Sequence, residues 1–294
     1  MKDAWRLVID RRSVPRAVDS LFDEQRGTTG MRVIFLHGVG ASGRYWYAVA
    51  DRLTDVDSRL YLVDLLGFGR SPKPDVLYRP TDHLAALDHW RSSAGLADEP
   101  FVLIGHSVGA IFAAQWALHA PVAGLILVGL PVYDDPVEVR RHLSELSAIN
   151  RLTLGASPLG QAVCSVMCHT RPLWQLLAPY LAPGVPPQVA RDAVQHTWTS
   201  LSGTLDHCIF GVGSEQRRLL TGIPVVLIHG TADRSAPIEN VRQLVARSGG
   251  PRLVELAGGG HDLPLSHPDE IAREVRAIVT RVGDGERGSP PSKP

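Results

Sequence analysis

From Phe101 to Leu130 the chain carries only His106, Ser107, Gln115 and His119 as clearly polar side chains. A run of this length invites comparison with a membrane span. The Gly105-His106-Ser107 turn and Pro121 divide it, however, and each piece has the length of a buried strand or a short helix. The segment therefore reads as a strand-helix-strand unit at the centre of a core. Such a unit needs similar neighbours on both sides to cover it.

Those neighbours recur along the sequence. Unalternated aliphatic runs at Arg32 to Leu36, Leu60 to Val63, Phe101 to Ile104, Leu125 to Val128, Val225 to Ile228 and Leu253 to Leu256 predict parallel strands covered on both faces. Between them, Tyr45 to Leu53, Thr81 to Ala94, Val108 to His119, Pro237 to Ser248 and Pro268 to Val282 predict helices, two of them opening on proline. Strands alternating with helices define an α/β fold with a doubly wound, mostly parallel sheet. Residues 4–22 predict a leading pair of strands. The rhythm fails between Leu130 and Gly222, where eight prolines punctuate mostly helical segments. The expected organisation is thus a core of residues 1–130 and 222–282, a helical insertion at 131–221 near the carboxyl ends of the strands, and a disordered tail at 283–294.

Lys plus Arg and Asp plus Glu number 30 each, so the formal net charge is zero. That balance argues against nucleic acid or membrane as the principal partner and for a small-molecule substrate. Three cysteines, Cys164, Cys168 and Cys208, are too few for a disulfide framework. The charged opening MKDAWRLVIDRRSVPR leaves no room for the apolar run of a signal peptide, and the expectation is a cytoplasmic protein. Nothing in the sequence fixes the oligomeric state.

The chemistry lies at the strand ends. Gly105-His106-Ser107-Val108-Gly109 is G-x-S-x-G between a buried strand and a helix, the context of a nucleophile elbow. Glycines two positions either side of the serine suit a strained turn, which aims the Val108 N–H and the helix N-terminus at the serine oxygen. A serine hydroxyl needs a base, and the base an orienting acid. VVLIHGTADRSAP places Asp233 just past one strand, and LVELAGGGHD places His261 just past the next. One histidine after a strand is commonly a loop residue, and one such aspartate a helix cap. Three residues in the order Ser107, Asp233, His261, each at a strand end, point to a triad. Asp134, after the strand Leu125 to Val128, is a reserve for the acid. The loop His37-Gly38-Val39-Gly40 predicts an oxyanion site made by the Val39 and Val108 N–H groups, with His37 beneath the loop. Gly38, His106, Trp46 and Trp174 are the expected pocket residues.

These motifs carry a resemblance. Through HGVGASGRYW from His37, DLLGFGRS from Asp64, GHSVG from Gly105, GTADRSAP from Gly230 and GGGHDLPLSHP from Gly258, roughly residues 31–282 resemble an α/β-hydrolase-fold serine hydrolase with a helical cap. The resemblance implies Ser107 as nucleophile, His261 as base and Asp233 as acid, with no cofactor and no metal. Family members with an aspartate nucleophile, the epoxide hydrolases and haloalkane dehalogenases, do not match the serine at 107. The apolar insertion suggests a small, largely apolar carboxylic ester, cleaved through an acyl-enzyme. Alternatives are carbon-carbon bond hydrolysis by the same triad and a slow-turnover ligand receptor of the same fold. A more remote one is a dinucleotide-dependent oxidoreductase, because Gly38-Val39-Gly40-Ala41-Ser42-Gly43 also satisfies G-x-G-x-x-G and Asp64 ends the next strand. Cys164, Cys168 and His169 share a helical spacing but lack further ligands for zinc. His196, His207 and Cys208 in the insertion either line the pocket or pack.

Overall fold

A computed structural model of the chain describes residues 20–133, 135–146, 158–209, 223–248 and 251–287. Seven strands form one sheet: β1 (Asp23–Arg26), β2 (Met31–Leu36), β3 (Ser58–Val63), β4 (Phe101–His106), β5 (Val122–Val128), β6 (Val225–Gly230) and β7 (Arg252–Leu256). Their spatial order is β1-β3-β2-β4-β5-β6-β7, with β1 antiparallel to β3 and every other pair parallel. All six expected strands are present. The expected leading pair falls mostly outside the described residues, and the antiparallel strand begins just after it, at Asp23.

The unalternated runs have the predicted cause. Ile34, Leu36, Leu103, Leu125 and Leu127 point to one face, and Val33, Phe35, Val102, Ile104, Ile126 and Val128 to the other, all fully buried. Helices cover both faces: α1 (Tyr47–Ala50), α2 (Pro80–Ser93) and α3 (Val108–Trp116) come early in the chain. Between β5 and β6 lie α4 (Pro136–Glu145), α5 (Pro158–His169), α6 (Arg171–Leu181), α7 (Pro187–Asp192) and α8 (Trp198–Thr204), which ends in a π-helical turn Leu205–Ile209. α9 (Ile238–Ser248), α10 (Leu263–Ser266) and α11 (Pro268–Arg287) complete the chain. On α11, Ile271, Ala272, Val275, Ile278, Val279 and Val282 form the 3.6-period stripe that buries it against the sheet.

Two boundaries differ from expectation. The helix foreseen at Tyr45 to Leu53 is broken into a 3₁₀ turn Gly43–Trp46, the single α-turn α1 and a second 3₁₀ turn Asp51–Leu53. Asp64 accepts a bond from the Gly43 N–H at 2.6 Å, and Ser42 Oγ accepts one from the Arg44 N–H at 3.3 Å, which ties the first turn to its surroundings rather than to a regular helix. At the other end α11 continues past Val282 to Arg287, into the stretch expected to be disordered. The added residues, Gly283 to Arg287, continue a helix that is already nucleated along its buried stripe, although two of them are glycines that favour helix poorly.

The helices between β5 and β6 are tied to the sheet by polar contacts. Asp192 on α7 accepts bonds from Ser42 Oγ at 2.6 Å and from Arg44 at 3.2 Å, although its carboxylate is only 1% exposed. His83 on α2 meets Thr204 Oγ1 on α8 at 3.1 Å. On α4, His142 donates to the Arg234 carbonyl at 2.7 Å, and just before it Tyr133 donates to the Ser235 carbonyl.

Candidate active site

The turn after β4 is strained at one residue. Ser107 has φ +54° and ψ −122°, a conformation that costs a non-glycine residue on the order of 1–3 kcal/mol. The flanking glycines are required sterically. A Cβ on Gly105 would lie 2.3 Å from the Gly109 carbonyl oxygen, and one on Gly109 would lie 2.5 Å from the carbonyl oxygens of Leu36 and His37. No larger residue fits at either position. The turn lifts Ser107 to the N-terminus of α3, whose first N–H groups lack intrahelical acceptors.

Ser107, His261 and Asp233 meet in space. Ser107 Oγ donates to His261 Nε2 at 3.0 Å, and His261 Nδ1–H donates to Asp233 Oδ2 at 2.7 Å. The second aspartate oxygen accepts the N–H groups of Ser235 (2.8 Å) and Ala236 (2.9 Å), so both oxygens are engaged. Burial alone would raise the Asp233 carboxyl. The hydrogen bond and charge of His261, with the Ala236 N–H, outweigh that and hold it below the usual carboxylate range. His229 donates to the Ala236 carbonyl at 2.6 Å beneath the same loop, and burial lowers its pKa so that it stays neutral.

The loop after β2 passes over this group. Gly38 to Ala41 is a turn closed by Ala41 N–H to Gly38 O at 3.3 Å, with Gly40 at φ +70° in its third position. That bond leaves the Val39 N–H without an acceptor inside the turn. A Cβ on Gly38 would lie 3.0 Å from His106 Nδ1 and 3.2 Å from Ser107 Cβ, so the loop runs against the serine side chain and a larger residue would crowd it. His37 is fully buried under it, donating through Nδ1 to the Gly38 carbonyl at 2.7 Å and accepting at Nε2 from the Leu65 N–H at 2.9 Å. Burial lowers its pKa, which keeps that tautomer neutral.

Two of the four expected pocket residues are placed otherwise. Trp46 is fully buried in the core beside Phe35, with ring centroids 5.3 Å apart, and cannot touch a ligand. Trp46 follows the loop in sequence, but its side chain packs into the core with Phe35, Val49 and Leu53 instead of facing the site. His106 is likewise buried: its Nε2–H donates to the His261 carbonyl at 2.9 Å, and its ring stacks on Tyr45 at 5.1 Å. Burial, with the nearby charge of His261, pushes its pKa down to about 3. Gly38 lies against the Ser107 side chain. Trp174 is half-buried on α6, its indole N–H bonded to Thr170 Oγ1 at 3.0 Å.

Asp134 lies outside the described residues, and neighbouring Asp135 caps α4 by accepting the Val137 N–H at 2.8 Å. Asp64 is fully buried and saturated by its own chain, accepting from Gly43 N–H and from Arg70 N–H at 2.7 Å. It braces the loop Leu65 to Ser71 and offers nothing to a ribose, which removes the dinucleotide reading of the glycine motif. Cys164 Sγ sits 4.0 Å from Cys168 Sγ and 3.9 Å from His196 Nε2, whereas His169 turns back to the Ser165 carbonyl on its own helix. Among the described residues no group of three or more His, Cys, Asp or Glu is arranged to hold a metal ion. His207 is exposed, and the Cys208 thiol donates to the Tyr78 carbonyl at 3.3 Å within the core.

The sequence did not single out Tyr45, Asp262 or Gly129. Tyr45 donates to Asp262 Oδ1 at 2.7 Å, steadying the residue after His261, and burial together with Asp262 raises its phenol pKa well above the usual value. Gly129, at φ +56°, leaves space where a Cβ would lie 3.5 Å from both the His106 and His261 rings. A glycine directly after a buried strand was the only available signal for it.

A seven-stranded, mostly parallel sheet with a strained serine turn, and an aspartate and a histidine at the ends of its later strands, defines a class of protein. The sequence profile of the alpha/beta hydrolase family matches residues 33–274, and the chain belongs to that family. The "Probable lysophospholipase BODYGUARD 3" of Arabidopsis thaliana is 27% identical over 278 residues, covering 84% of this chain and 55% of that protein. The chain thus spans about half the length of this relative. The "(Lyso)-N-acylphosphatidylethanolamine lipase" of Mus musculus is 31% identical over 146 residues, 46% of this chain and 41% of that one. Among solved structures, an esterase from Exiguobacterium antarcticum shares the fold with a TM-score of 0.67 at 19% identity, over 88% of this chain and 95% of its own.

Proposed function

We propose that the chain is a serine hydrolase that cleaves a largely apolar carboxylic ester through an acyl-enzyme on Ser107. The observation that carries this reading is the continuous hydrogen-bond chain from Ser107 Oγ through His261 to Asp233. Ser107 attacks the ester carbonyl while His261 Nε2 takes its proton; Asp233 holds the Nδ1–H tautomer and stabilises the imidazolium. The Val39 and Val108 N–H groups receive the oxyanion. His261 then protonates the departing alcohol, and a water that gives its proton to His261 releases the acid and restores Ser107. The described helices between β5 and β6, α4 to α8, act as a cap over the strand ends, joined to the loop after β2 by the bonds of Asp192 to Ser42 and Arg44. The names of the plant and mouse relatives, a lysophospholipase and a lipase, support ester hydrolysis.

The test is fluorophosphonate labelling of wild type and Ser107→Ala, with turnover of p-nitrophenyl esters of increasing chain length. Labelling is expected to require Ser107, and turnover to fall about 10⁴-fold or more in Ser107→Ala. Near-normal turnover in that variant refutes the proposal.

A further inference from the structure

Three glycines, Gly258 to Gly260, precede His261, and glycine restricts its own backbone least. The placing of the imidazole therefore depends on what holds the chain at and after His261. Two long-range contacts do so. His106 Nε2–H donates to the His261 carbonyl at 2.9 Å, and the Tyr45 hydroxyl donates to Asp262 Oδ1 at 2.7 Å. Both contacts lead to Tyr45, because its ring stacks on the His106 ring with centroids 5.1 Å apart and planes 29° from parallel. Tyr45 is itself buried, only 6% exposed.

Tyr45 is covered in turn by α7. Val189 packs with Tyr45 and Ala41 in one apolar cluster, which Leu265 on α10 joins. Three residues further along α7, Asp192 accepts from Ser42 Oγ at 2.6 Å and from Arg44 at 3.2 Å. Positions three apart share a helix face, so α7 meets the 3₁₀ turn Gly43–Trp46 with one apolar and one ionic contact. Tyr45 directly follows Arg44 in that turn, with its N–H on the Ser42 carbonyl at 3.0 Å. Contacts thus run unbroken from α7 through Tyr45 to the carbonyl of His261 and to the side chain that follows it.

We infer that Tyr45 is a positioning residue that makes the setting of His261 depend on α7 being seated on the core. Its hydroxyl is committed to Asp262 and its ring to His106, so it acts through them. With α7 seated, Val189 presses Tyr45 against both anchors, and His261 is held between Ser107 and Asp233. With α7 displaced, both anchors lose that support and the imidazole loses its alignment, which costs far more rate than binding. The helices between β5 and β6 therefore do more than enclose a substrate: they align the base when they close on the core. That consequence rests on the reading of His261 as the base; the coupling of α7 to the His261 loop does not.

The experiment compares wild type, Tyr45→Phe, Val189→Ala, their double variant and Tyr47→Phe, which removes a neighbouring hydroxyl bonded to Glu24 on β1 at 2.5 Å. Turnover of p-nitrophenyl acetate, per serine labelled by fluorophosphonate, is paired with amide hydrogen exchange of residues 257–263. Tyr45→Phe is expected to lower kcat about tenfold with KM within about twofold of wild type, and Tyr47→Phe to change neither. Val189→Ala lowers kcat in the same way, and the double variant loses less than the product of the two single losses, because both act along one path. Exchange at residues 257–263 quickens in Tyr45→Phe and in Val189→Ala but not in Tyr47→Phe. Wild-type kcat in Tyr45→Phe, losses that multiply in the double variant, or unchanged exchange at residues 257–263 overturns the inference. So does a loss confined to the labelled fraction, which marks a tyrosine that only stabilises the fold. Turnover that does not require Ser107 fails the hydrolase reading instead, and the exchange rates then decide the coupling by themselves.

Discussion

Lowering the pH from 7 to 5 is expected to destabilise the fold by an amount that can be worked out from its buried histidines. Burial pushes the pKa of His83 and of His106 down to about 3 and that of His196 to about 4. Each folded-state value lies below the ordinary imidazole value, so the unfolded chain binds protons that the folded chain refuses. Stability is therefore complete above the unfolded pKa and declines as the pH falls through it. Between pH 7 and 5 each of these imidazoles contributes a loss of about 2 kcal/mol, and the three together about 6 kcal/mol. His37 and His229, also lowered by burial, add to the loss in the same direction. A domain is commonly stable by only about 5–15 kcal/mol, so this loss removes a large share of the fold's stability by pH 5. Urea unfolding followed by circular dichroism at pH 7, 6 and 5, at constant ionic strength, measures the effect. The variant His83→Phe, which keeps the stack on Phe112 but removes the titrating group, should reduce the proton uptake on unfolding by about one. Stability that is flat or rising from pH 7 to 5, or an unchanged uptake in His83→Phe, refutes the reasoning.

Two further substitutions probe the supports of the serine site. His106→Phe preserves a ring against Tyr45 but removes the N–H on the His261 carbonyl; turnover is expected to fall about tenfold to a hundredfold while fluorophosphonate labelling of Ser107 persists. Unchanged turnover would show that the contact does not position His261. Asp192→Ala leaves Arg44 and Ser42 without their buried partner and is expected to cost about 3 kcal/mol, read as a fall in the thermal midpoint, with a smaller loss in Asp192→Asn. No shift in either variant would mean that the helical segment is held to the sheet by other contacts.

Much of the site was legible because its chemistry is local. Gly105, Ser107 and Gly109 belong to one turn; Gly105 is required by the Gly109 carbonyl four residues on, whereas Gly109 is required by the Leu36 and His37 carbonyls of the neighbouring strand end. Asp233 and His261 were legible because each lies a few residues past an aliphatic run that forms a strand, buried throughout in β6 and partly exposed at the sheet edge in β7, where coverage on both faces was expected. Trp46 and His106 were misread for the complementary reason: their neighbours in sequence are site residues, but the direction of each side chain depends on packing by distant elements. His106 is fixed by Tyr45 and by the carbonyl of His261, which is 155 residues away. The Tyr45–Asp262 bond joins residues 217 apart and left no trace in either local sequence.

The sequence by itself determined the alternation of strand and helix, the strained serine turn and the order of serine, aspartate and histidine. Each of these depends on hydrophobic period, glycine sterics or turn chemistry within a few residues. Only the tertiary structure decided that Ser107, His261 and Asp233 lie within hydrogen-bonding distance, that Asp64 is saturated by its own loop, and that the apolar stripe of α6 faces outward. The stripe shows the reason most plainly. A 3.6-residue period states that a helix has an apolar side, but which side is covered depends on which other surfaces arrive to pack against it, and on α6 the covered residue is Ala178, away from the stripe.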